Sequence, residues 1–583
     1  MKSFFKIFFA SLLALVVFTI IGFFILAGIV GGIASSDKPV VGSKAILVID
    51  LADYYQEISE ENPIAQLGGG ENSDKPALYD LIRLIRHAKA DSAVKGIYLQ
   101  CGSSANGFAT GESIRNALAD FKTSNKFVIA YGDVISQAGY RVGNVANKIY
   151  CNPKGGVDWR GYAVQLAFLK GTLQKLDIEP QIFYAGKFKS ATEPFRETKM
   201  TDANREQTTE LINELYAQML MQTATARKLD TATLHRYANE SLIKSANDAL
   251  KYGLVDGLKY DDEVKDELKR LTGSGKYDRF NFIPVAKYMK AVDYKREGKD
   301  KIAVIFAQGD IIDGKGERNM IGSDSYRALV RRARLDKDIK AIVFRINSGG
   351  GSALASEVIW RELTLAKAEK PVIVSFGDVA ASGGYYLACN ADSIFAEHST
   401  ITGSIGVFTM LPNLEKFFNN KLGMTFDGVK TSPDADMLSV SKPLNEAQKR
   451  YLQNGVDSTY HDFKSRVAEG RKLNIDYVDS IGQGRVWIGN RALDLKLVDR
   501  IGGLDDAIEC AARMAKITNY RLREFPDKRG LMEMLFGSKE AAPQAILRQE
   551  LGPDGYRTYQ TIRRTKEMTG VVQARMPFEL IFE

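Results

Sequence analysis

The chain has 583 residues, more than a single hydrophobic core usually serves, so two or more domains are expected. At 45% hydrophobic and 26% charged residues it has a globular composition, which excludes a disordered chain. The net charge of +8, from 79 basic and 71 acidic residues, is spread along the sequence; without a basic cluster no nucleic-acid partner is expected, and a mildly basic surface suits anionic lipid.

The first element is apolar. From Ile7 to Ser36, IFFASLLALVVFTIIGFFILAGIVGGIASS carries no charge and exceeds the roughly 20 residues that a membrane-spanning helix needs. A cleaved signal peptide has a shorter apolar region, about 7–15 residues, so a retained anchor is expected, with cleavage near Ala34-Ser35-Ser36 as the alternative. Lys2 and Lys6 precede the span and are expected to stay cytoplasmic, which sends everything after residue 37 across the membrane.

The remainder repeats itself. DSAVKGIYLQ, from Asp91, resembles DKDIKAIVFR, from Asp336, a shift of 245 residues. The same shift carries FVIAYGDVISQAGYRVGNVANKIYCN onto VIVSFGDVAASGGYYLACNADSIFAE without a gap. Further on, NDALKYGLVDGL at Asn247 meets NRALDLKLVDRI at Asn490, a shift of 243. A near-constant offset over so long a stretch indicates two copies of one domain. Each reads as α/β: short β-branched runs such as AIVFRI and PVIVSF alternate with helical patterns such as ALASEVIWRELTLAKAE, the grammar of a mostly parallel sheet. The charged, glycine-containing stretch 273–301 is expected to be the joint. Cys101, Cys151, Cys389 and Cys510 form no Cys-x-x-Cys pair, which excludes a dense disulfide framework and a standard zinc site; no cofactor is expected. Buried free thiols are the expectation, with a Cys101–Cys151 pair as the alternative.

The copies differ where chemistry would sit. The shift of 245 sets Gln137 under Ser382, and the turn NSGGGS at 347–352 faces the less glycine-rich CGSSANG. In 377-GDVAASGGYYLACNADSIFAEHSTITGSIG-406, Ser382 stands between alanines and a glycine pair. A serine attacks only when a base removes its proton, and the oxyanion that follows needs backbone N–H donors already aimed at it. Gly383, beside the serine, is one candidate donor, and Gly350 or Gly351 the other. SGGY also fits a tight strand-to-helix turn with a helix-capping serine. Histidine fills the base role poorly: the chain has four, and the nearest, His398, lies 16 residues beyond Ser382 in a turn-like EHST. A lysine serves instead if burial keeps it neutral, as in the Ser-Lys variants of the catalytic triad.

AASGGYYLACNADSIFAEHSTITGSIGV, with RINSGGGSALASE before it and FYAGKFKSATEPFRE in the first copy, resembles the signal peptide peptidase A family (protease IV) in its long, tandem form. That resemblance implies two copies of a Clp protease/crotonase-like α/β fold after one membrane helix. It implies a Ser/Lys dyad, with Ser382 as nucleophile and, from KSATEPF in the first copy, Lys189 as base. Ser404, in TGSIG, matches the hydroxyl that orients the lysine amine. The family's Asn-Ser-Pro-Gly-Gly turn here reads Asn347-Ser348-Gly349-Gly350-Gly351, and the lost proline leaves open which glycine donates. Two lysines rival Lys189: Lys187, which shares its side if both lie in a strand, and Lys430, its near-equivalent in the second copy.

The expected division is a membrane anchor at 1–36, an N-terminal domain supplying the base at 37–295, a C-terminal domain supplying the nucleophile at 296–525, and a C-terminal extension at 526–583. The ending of that extension, RMPFELIFE, is apolar enough to pack on a neighbouring subunit. The expected function is a serine endopeptidase, single-pass in a bacterial cytoplasmic (inner) membrane with its catalytic domains on the periplasmic side. Its substrates would be hydrophobic peptides, including cleaved signal peptides, and the resemblance further implies a homotetramer. A crotonase-type acyl-CoA enzyme shares the fold, but an outward-facing anchor keeps it from cytoplasmic CoA. A non-catalytic membrane scaffold would need neither dyad member.

Overall fold

The structure, a computed structural model, describes residues 2–34, 38–58, 75–275, 277–316, 319–527 and 570–576. The helix Lys2–Ala34 opens the chain, and its stretch Phe4–Gly22, 19 residues of mean hydropathy 2.5, is long and apolar enough to cross a membrane. None of that stretch is buried against the rest of the chain. A helix apolar on every side has no solvent-facing side to present, so lipid is the medium that suits it.

Two α/β units follow. In the first, strands run in the order Gly257–Leu258, Lys148–Val157, Phe127–Ile135, Val94–Gln100, Ala45–Asp50, Phe282–Pro284, all parallel. In the second, Val486–Ile488, Ile401–Gly403, Val372–Ala381, Ile339–Ser348, Asp300–Gln308 and Tyr520–Phe525 form the main sheet, parallel except at the first pairing. Strands covered by helices on both sides bury nearly every residue, which is why these segments read as continuous apolar runs rather than as alternation.

The repeat is visible in detail. Val94–Gln100 matches Ile339–Ser348, Phe127–Ile135 matches Val372–Ala381, and the short helices Gln137–Gly143 and Gly383–Ala388 follow the latter pair. Two 26-residue helices, Asp202–Arg227 and Glu446–Arg471, correspond as well, and each ends on a left-handed lysine, Lys228 or Lys472. The stretch 273–301 is more than a joint. Phe282–Pro284 adds an edge strand to the first sheet beside Ala45–Asp50, and Val285–Ala291 is helical. Proline lacks an N–H for a central ladder but is tolerated at such an edge. All four cysteines are buried free thiols; burial pushes the Cys101 thiol up to about 12 and Cys151 up to about 11, so neither is reactive near neutrality.

A third sheet stitches the units together. Glu179–Ala185, from the first copy, runs antiparallel to Val407–Asn413 of the second over seven residue pairs, from Ala185 opposite Val407 to Glu179 opposite Asn413. The same sheet holds Gly350–Ser352, Asp310–Ile312, Met320–Gly322 and, from the C-terminal extension, Gln573–Arg575. Buried polar groups add to the junction. The Thr110 N–H and hydroxyl donate to the Asp378 carboxylate at 2.8 and 2.6 Å, and Arg345 pairs with Glu57 at 2.9 Å, both side chains almost fully buried. Severing one partner of such a pair strands a buried charge, so these contacts fix how the copies sit together more than they add stability.

Candidate active site

Lys189 reaches the second copy because the strand before it crosses over. Glu179–Ala185 ends at Gly186, whose φ of +112° turns the chain, and the Phe188 N–H then donates to Gln483 O at 2.7 Å. Lys187 and Lys189 therefore do not share a side as they would in a strand. Lys187 is exposed, with its amine over the Phe188 ring, whereas Lys189 is 1% exposed. Gln207, itself buried, secures the turn: its side-chain amide donates to Phe188 O and to Ser190 Oγ, both at 2.9 Å.

Ser382 sits between the strand Val372–Ala381 and the helix Gly383–Ala388. Its φ of 54° and ψ of −116° are costly for a residue with a Cβ and hold only where the surroundings impose them. Its N–H donates to Gly403 O at 2.8 Å, and its side chain caps nothing in the helix that follows. Capping therefore does not account for this serine. Ser404 shares the strain, with φ of 51°.

These three residues converge. Lys189 Nζ lies 2.8 Å from Ser382 Oγ, 3.1 Å from Ser404 Oγ and 3.2 Å from Ser404 O. Burial holds the amine well below the usual lysine range, with no charged neighbour among the causes. A neutral amine has two N–H donors and one lone pair. With the amine neutral, its two N–H bonds directed at the Ser404 oxygens would leave the lone pair for the Ser382 hydroxyl proton. Phe188 is buried beside this site beneath the Arg485 guanidinium, and Phe195 is partly buried.

The glycines line the approach to Ser382. Gly350 N–H donates to Ser348 Oγ at 3.1 Å, and Gly351 stands opposite Ala574 in the ladder made by the C-terminal strand. A Cβ at Gly350, where φ is +99°, would come within 2.0 Å of Ala574 O, and one at Gly383 within 3.0 Å of the same oxygen. Only glycine lets a peptide carbonyl come so near at both points.

The other candidates are engaged elsewhere. Lys430 is exposed and donates to Pro433 O and Asp436. His398 Nδ1 lies 2.6 Å from Glu112 of the first copy, which raises the imidazole pKa, and its side chain stays half exposed. Gln137, the counterpart of Ser382, is a brace: its side chain donates to Gly161 O at 2.9 Å and accepts from the N–H groups of Arg160 and Gly161. The shift of 245 pairs Gly161 with Gly406, whose carbonyl lies 3.5 Å from Ser382 Oγ. An amide thus fills the place of the hydroxyl in the first copy, where the side-chain bonds of Gln137 run to the backbone of Arg160 and Gly161. Gln207, Gln483 and the strand Gln573–Arg575 carry no motif, and sequence reasoning did not find them.

The buried amine makes a prediction about stability. Lysine has an unperturbed pKa of about 10.4. Below that value the unfolded chain takes up a proton that the folded amine refuses, so this group's contribution falls as pH drops from there toward the lowered folded value. Lys189→Met, similar in length and without a charge to desolvate, is expected to melt at the same temperature as the parent or higher at pH 7, with the gap closing above pH 10. Thermal melts across that range check this.

Comparison with known proteins agrees with the tandem architecture. The model of the peptidase family S49 matches twice, at residues 120–274 and 364–518. The chain is 34% identical over 492 residues to Protease 4 of Salmonella typhi, covering 82% of this chain and 79% of that protein. It is 32% identical over 489 residues to Protease 4 of Haemophilus influenzae, with 81% and 79% covered. With the chloroplastic serine protease SPPA of Arabidopsis thaliana it shares 33% identity over 443 residues, with 74% and 64% covered. With an S49 match in each half and Protease 4 relatives aligned over about four fifths of both chains, this chain belongs to the serine peptidases of family S49.

Proposed function

We propose that the chain is a membrane-anchored serine endopeptidase in which Ser382 of the second copy attacks the peptide carbonyl and Lys189 of the first copy takes its proton. The observation that carries this reading is the buried, carboxylate-free Lys189 amine 2.8 Å from Ser382 Oγ. In acylation the Ser382 hydroxyl proton passes to the Lys189 lone pair while Oγ bonds to the carbonyl carbon. The oxyanion is received by the Gly383 N–H and by one N–H from Gly350 or Gly351. The resulting ammonium then gives its proton to the departing amine, and the C–N bond breaks. In deacylation the neutral amine takes a proton from water as the hydroxide adds to the ester carbon; the bond from that carbon to Ser382 Oγ then breaks, the acid product leaves, and the proton returns to Oγ. Ser404 keeps the amine aimed throughout without adding a charge that would favour its protonated form.

The proposed substrates are hydrophobic peptides, including signal peptides left after preprotein cleavage. The apolar helix at the N-terminus supports this, because it would hold the site beside peptides released from the membrane. Lys2 and Lys6 before the span favour a site on the periplasmic side of a cytoplasmic membrane. A homotetramer is proposed from family resemblance. Incubating the purified full chain, in detergent, with peptides of signal-sequence composition and with polar controls tests the activity. Internal cuts in the apolar peptides, read by mass spectrometry, are expected; no cleavage of either set would overturn the reading.

A further inference from the structure

The strand Gln573–Arg575 fills a gap between two strands that flank the candidate site. On one side it runs antiparallel to Gly350–Ser352, with Gly350 opposite Arg575, Gly351 opposite Ala574 and Ser352 opposite Gln573. On the other, Gln573 pairs with Phe408 of Val407–Asn413. The Met576 N–H donates to Gly349 O at 2.6 Å and the Ala353 N–H to Val572 O at 3.0 Å, so the ladder continues past both ends of the strand. Two strand edges facing each other across one strand's width make a slot for an extended peptide, and main-chain bonds of this kind bind any sequence. Side chains must then supply selectivity.

The side chains on this strand report what the slot accepts. The Ala574 carbonyl lies against Gly350 and Gly383, the glycines beside the nucleophile, and its methyl is fully buried. A fully enclosed methyl at that point favours a small side chain. Arg575, the next residue, extends to Asp310, with Nη1 to Oδ2 at 3.1 Å and both side chains largely buried, 14% and 21% exposed. Met576 packs among Leu211, Leu215, Ile401 and Ile488, an apolar wall built from both copies. Asp310 cannot drift from its place, because Asp310–Ile312 is itself a strand of this sheet, paired with Met320–Gly322 and touching Gly351 through Ile311.

We propose that Asp310 is a specificity-determining residue, selecting peptides that carry a small residue at the Ala574 position followed by a basic one at the Arg575 position. This rests on the endopeptidase reading above. In that reading the bond between these two positions is the one presented to Ser382. A carboxylate held in a largely buried subsite attracts an arginine or lysine there more strongly than a neutral residue and repels an acidic one.

The test uses the full chain in detergent and three peptides identical except at the residue after a fixed alanine: Arg, Ala or Glu. Each peptide must displace the same C-terminal strand, so that competition cancels in their ratios of kcat/KM. The parent is expected to prefer Arg over Glu by about ten- to hundredfold, the range that one largely buried ion pair supplies. Asp310→Asn should level the three, and Asp310→Lys should place Glu first. If Asp310→Lys fails to fold, the near-isosteric Asp310→Asn still decides. A parent that cuts all three peptides equally, or a preference unchanged in Asp310→Asn, overturns the assignment while leaving the endopeptidase reading intact. A parent that cuts none of them, nor any other peptide, overturns both.

Discussion

Ser382→Ala is expected to lower peptide turnover by about 10⁴-fold or more while leaving the fold and melting temperature close to those of the parent. The scale follows from serine hydrolases in which loss of the nucleophile leaves only the oxyanion donors and substrate binding to assist water. The fold is expected to survive because Ser382 Oγ caps no helix, and its longer bond, to Gly406 O at 3.5 Å, is at the limit of a hydrogen bond. Removing a hydroxyl from a residue with φ near 54° also leaves the Cβ strain as it was. Initial rates on an apolar peptide, with circular dichroism as a control, measure both parts. Activity within tenfold of the parent would mean that another residue attacks.

Lys189→Arg is expected to be as inactive as Lys189→Ala, although it keeps a long, nitrogen-bearing side chain. A guanidinium stays protonated throughout the working range and offers no lone pair. For the parent the direction of the pH response follows from burial. Desolvation lowers the Lys189 pKa, and the neutral form that acts as base accumulates as pH rises through that lowered value. Activity should therefore increase toward alkaline pH along one limb, well below the pH at which an exposed lysine loses its proton. Lys189→His also supplies a titratable nitrogen, yet its shorter reach leaves only a trace of activity expected, on a limb moved toward the pKa of imidazole, about 6.5. Lys430→Ala, on the exposed stretch of the second copy, should leave rates unchanged.

The sequence showed the repeat, the α/β grammar and the serine with its glycines, because these are local patterns. Val372–Ala381, the turn and Gly383–Ala388 are contiguous, and the shift of 245 exposes them by comparison with the other copy. The partner of Ser382 was reached by resemblance rather than by periodicity, since nothing between Gly186 and Ser190 distinguishes Lys187 from Lys189 by spacing. The structure separates them through a strand that ends at Ala185 and a turn held by Gln207 and Gln483, residues distant in sequence. The exchange of Glu179–Ala185 into a sheet of the other copy was equally hidden. EPQIFYA reads as a strand, but which edge it joins depends on long-range pairing that propensity does not record. The C-terminal strand escaped notice because three residues are too few for alternation to show. Of the ending RMPFELIFE, Arg575 and Met576 pack against their own chain, and the rest lies outside the described residues.

The most direct test of a base and nucleophile drawn from different copies is the pH dependence of covalent labelling by a fluorophosphonate, which reacts with an activated serine without needing peptide recognition. The account predicts a single adduct on Ser382, identified by peptide mapping. Its rate should rise along one limb centred well below the usual lysine value, and the adduct should be absent from Lys189→Ala and Lys189→Arg. Labelling of Ser382 in Lys189→Ala at the parent's rate and with the parent's limb would contradict it, because some other group would then be taking the proton.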